Sequence, residues 1–443
     1  MFNISKNASL AIRLLKSNGY EAYLVGGCVR DMLMGAYAHD YDITTSATPS
    51  EMIKVFEKYR TIETGIRHGT LTVIINDESL EITTYRIDGE YKDNRHPENV
   101  TFSRNLKDDL SRRDFTINAL VYNEDEGVMD LFGGKEDIKN KVIRAIGEKE
   151  KRFTEDALRI LRAVRFSSTL GFEIEKETKN AMIKCAPLLH NIAGERIKAE
   201  MEKFLLGKNV KNAILENYEI LAELIPEIGK MHKFDQKNKW HIYDILEHTA
   251  KAVESTPPTP HLRLAMLLHD TGKVHTFSAD ENGVGHFYGH GEKSGEIAKK
   301  YLDKYKYDSF TKDEVYNLVK YHDLYTENDR VLVKKRLNRI GKQRFLDLIK
   351  IQRADNMAQN PELVNLARLD DLERMAIDIS SEECFSLAEL KINGNDLIEN
   401  GFKEGKQIGY ILNTILNEVI EEKISNDREA LLKRATELKN DCS

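Results

Sequence analysis

The stretch Tyr23-Leu24-Val25-Gly26-Gly27-Cys28-Val29-Arg30-Asp31 predicts a strand that passes through a double glycine into a helix. Glycines at such a turn allow backbone N–H groups to approach a phosphate closely, and the helix N-terminus adds a favourable dipole. The stretch His39-Asp40-Tyr41-Asp42-Ile43 follows soon after. Side chains two residues apart on a strand point to the same side, so we expect Asp40 and Asp42 to present two carboxylates together. Two such charges need a positive partner, and Mg²⁺ prefers carboxylate and phosphate oxygens, so we expect both residues to hold Mg²⁺.

A third acid, Glu81, lies between apolar residues farther along the chain. The runs Gly69–Asn76 and Ser79–Tyr85 are rich in β-formers, and the polar turn Asp77-Glu78 between them predicts a hairpin. On such a strand Glu81 either joins the first two acids or faces solvent at an edge. The pattern leaves both possibilities open.

The bulk composition bounds the class of protein. A length of 443 residues predicts two to four domains, and 41% hydrophobic with 31% charged residues is typical of a soluble globular chain. The cysteines are scattered without a paired spacing, which argues against a disulfide framework and a zinc ribbon. The sequence has no apolar run of membrane-span length and no signal-peptide pattern at its start, so we expect a cytoplasmic protein with no membrane partner.

The net charge of -7 does not indicate nucleic-acid binding, but phosphate contacts depend on local patches. One basic cluster lies within Arg104–Arg113. It is either a phosphate-binding patch or a solvated charged loop. Patterns of strands and helices alternate up to about residue 150, and helical periodicity follows from Thr154 onward, so the predicted fold class is α+β.

The glycine turn, the Asp-x-Asp pair and Glu81 together resemble the nucleotidyltransferase superfamily to which DNA polymerase beta belongs. The resemblance implies an α/β head with a mixed sheet. It also implies that Asp40, Asp42 and Glu81 are catalytic, and that two metal ions assist an in-line displacement at a nucleoside triphosphate.

Three later motifs narrow the resemblance to a family. They are Arg112-Arg113-Asp114-Phe115-Thr116-Ile117-Asn118-Ala119-Leu120, then Glu155-Asp156-Ala157-Leu158-Arg159-Ile160-Leu161-Arg162-Ala163-Val164-Arg165-Phe166, then Gly194-Glu195-Arg196-Ile197 with Glu200. In this order they resemble the class II CCA-adding enzymes and the related bacterial poly(A) polymerases, over about the first 210 residues. The family implies tRNA, ATP and CTP as partners, with no nucleic-acid template.

The family motifs imply a role for each nucleotide-binding residue. Arg113 and Asp114 match the motif that holds the sugar. Asp156 and Arg159, three apart on a predicted helix, offer acceptors and donors that suit the Watson–Crick edges of C and A. Arg162 and Arg165 are assigned to phosphates or to anchoring the helix. The glycine turn supplies the remaining nucleotide-binding residues, Gly26, Gly27 and Arg30.

The polar segment Tyr85–Pro97 has Gly89 and Pro97 as breakers and predicts a mobile loop. It resembles the flexible loop of family members that add the terminal A. The resemblance therefore implies complete CCA addition, or an A-adding enzyme that works with a separate CC-adding partner. A bacterial poly(A) polymerase is a further alternative, although it is expected to carry a basic tail that this chain lacks.

A second constellation lies in the helical body, where His248, the pair His269-Asp270 and then Asp355 follow in order. This pattern resembles the HD phosphohydrolase superfamily, and histidine with aspartate suits a divalent transition metal. His290 and His322 lie where some members hold a second metal. The resemblance implies a phosphomonoesterase or cyclic phosphodiesterase acting on damaged RNA 3′ ends, or a scaffold that binds tRNA.

The last segment, Ile392–Gly401, resembles the family's C-terminal helical region, which implies contacts with the acceptor and TΨC arms of tRNA. The predicted domains are a nucleotidyltransferase head, a helical neck with the nucleotide-selecting helix, an HD domain and a helical tRNA-binding tail. Their predicted bounds are 1–150, 151–225, 226–370 and 371–443.

Overall fold

A computed structural model describes residues 2, 4–38, 40–89 and 100–441. The chain forms two compact units, Met1–Gly229 and Lys230–Ser443. The first contains a mixed β-sheet followed by helices, and the second is almost entirely helical. The predicted α+β class is confirmed, with the mixed sheet near the start of the chain and the helical region after it.

Seven strands form the sheet of the first unit, in the order β3-β4-β5-β2-β1-β8-β9. The strands β2 and β5 run parallel, and every other neighbouring pair is antiparallel. Their bounds are β1 Ala22–Val25, β2 Asp42–Thr45, β3 Arg60–Ile62, β4 Thr70–Ile75, β5 Glu78–Thr84, β8 Leu120–Asn123 and β9 Gly127–Asp130.

The predicted hairpin is confirmed in β4 and β5, which pair from Thr70↔Thr83 to Ile75↔Glu78. Its turn is one residue earlier than predicted, because Asn76 and Asp77 both take positive φ angles of 46° and 65°. A two-residue turn with both residues in this region matches the right-handed twist of the strands, and Asn and Asp tolerate it.

One face of the sheet packs on helices that come early in the chain. Alternate residues of β4 and β5, among them Leu71, Val73 and Ile82, are buried with residues of α1 and α3 in one core. The intervening residues of the same strands therefore project from the opposite face. Helices of the head are α1 Lys6–Ser17, α2 Gly27–Leu33, α3 Pro49–Val55, α4 Leu106–Ser111 and α5 Gly134–Asn140.

The predicted mobile loop is only partly described. Tyr85 is fully buried, and β6 Arg86–Asp88 pairs with β7 Val100–Phe102, so the beginning of the segment is a strand and not a loop. An ion pair between Arg86 and Asp88 supports this local order. The rest of the predicted loop, residues 90–97, lies outside the described residues.

Helices follow the sheet through the remainder of the first unit. A small parallel pair, β10 Val142–Ile143 with β11 Glu173–Ile174, is inserted among them. The helices are α6 Lys149–Glu155, α7 Leu158–Leu170, α8 Lys176–Cys185, α9 Gly194–Leu205, α10 Val210–Glu216, α11 Tyr218–Ala222 and α12 Pro226–Met231, the last of which ends in the second unit.

The second unit contains eleven further helices among the described residues and one small hairpin, β12 Ser278–Ala279 with β13 Gly285–His286. No described helix has the length and apolar character that a membrane crossing needs. The helices are α13 Ile245–Ser255, α14 Pro260–Leu268, α15 Lys273–Thr276, α16 His290–Lys304, α17 Ser309–Tyr321, α18 Arg330–Ile340, α19 Lys342–Met357, α20 Ala367–Glu382, α21 Gly394–Glu399, α22 Lys406–Ile420 and α23 Arg428–Asp441.

Candidate functional site

The double glycine connects β1 to α2, as predicted. Gly26 has a φ of +80°, and a β-carbon there would lie 3.1 Å from Nη1 of Arg113. The backbone N–H of Gly26 donates to the carbonyl of Leu120 on the neighbouring strand, at 3.2 Å. A side chain at position 26 would therefore be strained and would press on Arg113, which is why glycine suits this turn.

The structure aligns two of the three predicted catalytic acids across neighbouring strands. Asp42 begins β2 and is the register partner of Glu81 in the parallel strand β5. Both side chains are exposed, while their neighbours Ile43 and Ile82 are buried on the opposite face. Glu81 therefore lies beside Asp42 on a central strand and not at an edge of the sheet. Its catalytic role stays a prediction.

Asp40 differs from its predicted setting. It lies in a bend before β2 and not on the strand, because β2 begins only at Asp42. Limited hydration by the surrounding protein raises the pKa of Asp42; the negative charges of Glu81 and Asp40 add to the shift, and Arg113 opposes it. The negative charges of Asp40 and Glu81 therefore act on Asp42. The assignment of these carboxylates to a divalent cation stays a prediction.

Arg113 is the cation of this site. Its Nη2 lies 3.5 Å from Oδ2 of the buried Asp109. Asp109 also accepts from Arg112 at 2.6 Å and from the hydroxyl of Thr44 at 3.0 Å. Buried Nε of Arg113 has no hydrogen-bond partner among the described residues. The guanidinium of Arg113 lies beside Gly26 through its Nη1. The nucleotide-binding role of Arg113 stays a prediction.

Asp114 is held by its neighbours on both oxygens. One oxygen accepts from the backbone of Phe115 and from Asn118, and the other accepts from Arg162 at 2.8 Å. Burial alone would raise the pKa of Asp114, but Arg162 and Asn118 lower it to about 2. The carboxylate is therefore ionised and rigidly oriented beside Arg113.

Arg30 is buried and fully engaged within the head. It donates to Asn118 at 2.7 Å and to Asp31 at 2.9 Å, and its guanidinium lies 5.1 Å from the ring centroid of Phe166. Through Asn118 it is connected to Asp114. These contacts place Arg30 behind the glycine turn, where it supports the residues of the site.

The predicted geometry of Asp156 and Arg159 is wrong. Asp156 ends α6 with an extended backbone, and α7 begins at Leu158, so the two residues do not share a helix face. Asp156 accepts from the backbone of Leu158 at 3.1 Å, as an N-terminal cap does, and this bond competes with continuous helix. The other carboxylate oxygen of Asp156 accepts a hydrogen bond from Nη2 of Arg196 at 3.0 Å.

Arg159 is also anchored. Its guanidinium donates to the backbone carbonyls of Arg112 and Arg152, at 2.9 Å and 3.0 Å, and to Glu155. The bond to Arg112 connects α7 directly with the Arg112–Asp114 motif. The assignment of Asp156 and Arg159 to base reading stays a prediction.

The remaining arginines of α7 make the anchoring contacts that were one of their two predicted roles. Arg162 pairs with Asp114, and Arg165 pairs with Glu200 of α9 at 3.0 Å. Both guanidinium groups lie over the ring of Phe166, at 5.4 Å and 4.3 Å from its centroid. The basic cluster of residues 104–113 is likewise paired in part, since Arg104 contacts Glu51 and Arg112 contacts Asp109.

In the second unit, the structure brings together all four residues of the predicted metal site. His248 Nε2 lies 2.9 Å from Asp355 Oδ1 and 3.4 Å from Asp270 Oδ2, and His269 Nε2 lies 3.2 Å from the same Asp270 oxygen. These residues come from helix α13, from the end of α14 and from α19. Asp270 is central to the cluster and almost completely buried.

Asp270 also faces the two histidines that the sequence singled out for a second metal. Its Oδ1 lies 3.5 Å from His290 Nε2 and 3.7 Å from His322 Nε2. Two groups whose ligand atoms lie within 4.8 Å of one another therefore share Asp270: one with His248 and His269, the other with His290 and His322.

Backbone carbonyls orient all four imidazoles. The Nδ1 atoms of His248, His269, His290 and His322 lie 3.2, 2.7, 2.9 and 2.7 Å from carbonyls of Ala358, Met266, Phe287 and Val319. An Nδ1–H that donates to a carbonyl leaves Nε2 as the lone-pair donor, which is the arrangement of metal-bound histidine.

The buried polar atoms at the centre fit a metal ion. His248 Nε2, His269 Nε2 and both oxygens of Asp270 are buried and make no well-aligned hydrogen bond among the described residues, although Lys273 Nζ forms an ion pair with Asp270 Oδ2. Leaving such groups unpaired costs free energy, and a cation satisfies all of them at once. Histidine nitrogen with carboxylate oxygen is a donor set for a divalent transition metal.

A cavity of about 380 Å³ opens onto this cluster. Lys273 lies on its wall, with Nζ 2.7 Å from Asp270 Oδ2 and 2.9 Å from Gln236 Oε1. His241 also lines it, and burial together with the charge of Lys273 lowers the pKa of His241 to about 3. The cavity thus combines metal-binding donors with a buried ammonium group.

Two known protein families match separate parts of the chain, one in each compact unit. Residues 22–144 match the family described as the poly A polymerase head domain, and residues 288–435 match one described as tRNA nucleotidyltransferase domain 2. The CCA-adding enzyme of Lactobacillus helveticus is 36% identical over 431 residues, which cover 96% of this chain and 96% of that protein. The chain belongs to the family of CCA-adding enzymes. These are nucleotidyltransferases, so the predicted family and enzyme class are confirmed.

Other CCA-adding enzymes are similar to this chain over nearly its whole length. The CCA-adding enzyme of Ligilactobacillus salivarius is 35% identical over 98% of this chain and 96% of its own. The crystal structure of the Bacillus stearothermophilus CCA-adding enzyme in complex with CTP has a TM-score of 0.73 at 30% identity, with 98% of each chain covered. The Thermotoga maritima CCA-adding enzyme complexed with tRNA shares the fold, with a TM-score of 0.61 at 20% identity over 98% of this chain and 96% of that chain.

Several residues of the two sites carried no assignment from the sequence. Arg196 lies inside the motif Gly194–Ile197, and Lys273 lies three residues after Asp270. Their positions in these motifs could have identified both as site residues. Asp109 and His241 had no such signal. Their roles depend on contacts with residues distant in sequence, Thr44 for the first and His248 for the second.

Proposed function

We propose that the first unit restores the 3′-terminal CCA of tRNA by transferring CMP and AMP from CTP and ATP without a nucleic-acid template. The observation that carries the proposal is the pairing of Asp42 with Glu81 beside the Gly26 turn and Arg113, in a chain similar along its whole length to CCA-adding enzymes. This reaction assigns the protein to the cytoplasm, where tRNA and nucleoside triphosphates are available.

The reaction forms one bond and breaks another at the α-phosphorus. The terminal 3′-hydroxyl of tRNA attacks, the bond to the bridging oxygen breaks, and pyrophosphate leaves. In this proposal Glu81 accepts the hydroxyl proton, and Arg113 binds the negatively charged nucleotide. Asp40 and Asp42 hold Mg²⁺; when bound, two such ions stabilise charge on the attacking oxygen and on the triphosphate.

Nucleotide selection is assigned to Asp156 and Arg159. Each of these residues makes protein contacts, Asp156 with Arg196 and Arg159 with the carbonyl of Arg112. A base that binds here exchanges for some of these hydrogen bonds. A base with a matching edge replaces the hydrogen bonds that it displaces, whereas a wrong base displaces them without replacement and is penalised.

The test uses tRNAs that lack A, CA or CCA, with ATP, CTP or both. Ordered incorporation of C, C and A supports complete CCA addition. Incorporation of ATP alone into the tRNA that lacks only A identifies the A-adding alternative. Extended A tails identify a poly(A) polymerase, an alternative that the full-length CCA-adding relatives disfavour.

A second function is proposed for the cluster around Asp270: a metal-dependent phosphohydrolase that removes a phosphate from a damaged RNA 3′ end. The supporting observation is the convergence of four oriented histidines and two aspartates in one largely buried cluster. His248, His269, Asp270 and Asp355 hold the first metal, and His290 and His322 complete a second group with Asp270. The bound metal supplies an activated water.

Hydrolysis of a 2′,3′-cyclic phosphate consumes one water, forms one P–O bond and breaks another, and the released ribose oxygen takes a proton, which leaves a phosphomonoester. A second water then cleaves the monoester and releases inorganic phosphate. Elemental analysis of the purified chain, followed by assays of cyclic and terminal phosphate release, tests the proposal. A wild-type chain that binds no transition metal and releases no phosphate with any divalent ion supports the alternative, a scaffold that binds tRNA.

We also propose that Ile392–Gly401 and the helices that follow contact the acceptor and TΨC arms of tRNA. The support is the match of residues 288–435 to a tRNA nucleotidyltransferase domain. The four-domain division predicted from the sequence remains a proposal, with bounds of 1–150, 151–225, 226–370 and 371–443.

A further inference from the structure

The cavity beside the Asp270 cluster contains a pair of aromatic rings that no step of the proposed hydrolysis uses. His286 and Tyr288 line this cavity together with Asp270, His290 and Asp355. Their rings are stacked, with centroids 5.4 Å apart and an interplanar angle of 8°. A parallel, offset pair of this kind provides a flat apolar surface.

The pair leaves most of one ring available. Tyr288 has 78% of its surface exposed, among the highest values for a large apolar or aromatic residue in the described part of the chain. An aromatic ring of a soluble protein is usually buried in large part, so an exposed ring on a cavity wall needs a reason. Aromatic side chains on a wall beside polar groups are the usual surface for stacking a nucleobase.

The surface is held in place by its own local structure. His286 ends the hairpin of β12 and β13, and its Nε2 lies 3.4 Å from the carboxylate of Asp280. The backbone N–H of Gly285 donates to the carbonyl of Lys237, and a β-carbon on Gly285 would lie 2.2 Å from the carbonyl of Gln236. The hairpin is therefore packed tightly against the preceding loop, and the ring of His286 gives Tyr288 a fixed support.

The chemistry opposite the rings suits the rest of a nucleotide. Lys273 contributes a buried ammonium group to the same cavity, and the cluster around Asp270 binds a metal in the proposed function. Asp323 and Gln359 also line the cavity and offer oxygen atoms that accept hydrogen bonds from ribose hydroxyls. The cavity of about 380 Å³ lies within the usual range for small-molecule sites, roughly 300–1,000 Å³.

We propose that the His286–Tyr288 pair is a nucleobase-binding surface, so that the cavity takes a nucleoside phosphate with its base stacked on Tyr288 and its phosphate directed to Lys273 and the Asp270 cluster. The inference rests on the proposed phosphohydrolase and specifies its substrate: the terminal nucleoside is recognised along with the phosphate. Stacking tolerates all four bases, so the preference for any one base is weak.

The experiment is calorimetric binding to the full-length, metal-loaded chain, with uridine 3′-monophosphate and inorganic phosphate as probes. Uridine is chosen because the head is proposed to select C and A. Tyr288→Ala should weaken binding of uridine 3′-monophosphate by about five- to 150-fold, the range that one base–aromatic stack supplies, and leave inorganic phosphate unchanged. Tyr288→Phe keeps the ring and should restore near-wild-type affinity.

A matched control is Tyr410→Ala, which removes another tyrosine of the second unit, 59% exposed and outside the cavity. It should change neither affinity. Metal content, measured by elemental analysis, should be equal in all four proteins. Equal losses for both probes in Tyr288→Ala, or equal affinity of the wild type for both probes, would overturn the proposal. Failure of the phosphohydrolase itself is seen separately, as a wild-type chain without bound metal and without phosphate release.

Discussion

Individual acidic side chains of the first unit have different roles, which depend on the residues that surround them. Asp42 and Glu81 are aligned by the parallel register of β2 and β5, and Asp40 adds its negative charge to theirs. Asp114 is the opposite case. It is ionised because Arg162 and Asn118 contact it, and its function is to hold an orientation. Substitutions at the two positions should therefore have different consequences.

Asp42→Asn should reduce addition of both C and A by at least about a hundredfold, because it removes the charge that binds the metal and keeps the size of the side chain. Steady-state incorporation of labelled CMP and AMP into truncated tRNA measures this. The matched control is Asp77→Asn in the β4–β5 turn, where asparagine tolerates the positive φ of 65°. Near-normal turnover of Asp42→Asn would remove Asp42 from the catalytic set.

Asp114 should make the first unit sensitive to acid. Its pKa of about 2 in the folded chain lies below the ordinary value of 3.8, so the unfolded chain binds the proton more readily. The stabilisation is therefore present above pH about 4 and is lost as the pH falls through that value toward 2. In Asp114→Asn this component is absent.

Thermal melting from pH 6 to about 2.5 measures the difference, because ionised Asp114 contributes only at the upper end of that range. The melting temperature of the wild type should fall more steeply below pH about 4 than that of Asp114→Asn. Parallel melting curves for the two proteins would show that Asp114 has no such role.

At the scale of the element, α7 is an anchored helix and not a free recognition surface. Arg159 binds the carbonyl of Arg112, Arg162 binds Asp114, and Arg165 binds Glu200 of α9. The residue that precedes this helix, Asp156, is oriented by Arg196. Base selection on such an element depends on the position of the whole helix as well as on the groups that meet the base.

Asp156→Ala should admit U more strongly than it slows C and A, because it removes an acceptor that discriminates between base edges by about 1–3 kcal/mol, roughly five- to 150-fold. Incorporation ratios of UMP to CMP measure this. The control is Thr169→Ala on α7, whose hydroxyl donates to the carbonyl of Arg165 within the same helix. An equal loss of rate for all nucleotides would assign Asp156 to positioning of phosphates.

At the scale of the whole molecule, the chain carries its two constellations in separate compact units. The glycine turn and the acids lie within Met1–Gly229, and the histidine and aspartate cluster lies within Lys230–Ser443. Each brings its own donors for a cation. The two chemistries should consequently be separable by substitution.

The double substitution His269→Ala, Asp270→Ala should abolish metal binding and phosphate release by the second unit, and nucleotide addition should continue. The ligands come from a buried cluster, so thermal melting must accompany the assays to detect unfolding. His261→Ala is the control, since this histidine belongs to the same unit and to neither metal group. A variant that melts like the wild type and yet loses CCA addition would show that the sites are coupled.

Order along the chain was sufficient to identify the glycine turn, the three acids, the family motifs and the histidine–aspartate pattern, because turns, strand alternation and motif spacing are local properties. The hairpin of β4 and β5 belongs to the same class, although its turn is shifted by one residue. Local periodicity failed at Asp156, where a capping bond to Leu158 interrupts the helix that the spacing predicted. Only the tertiary structure decided that Glu81 lies beside Asp42, that Arg196 holds Asp156, and that Asp270 is shared by two groups of histidines. Those facts depend on strand register and on helix packing between residues far apart in sequence, and no local pattern records either.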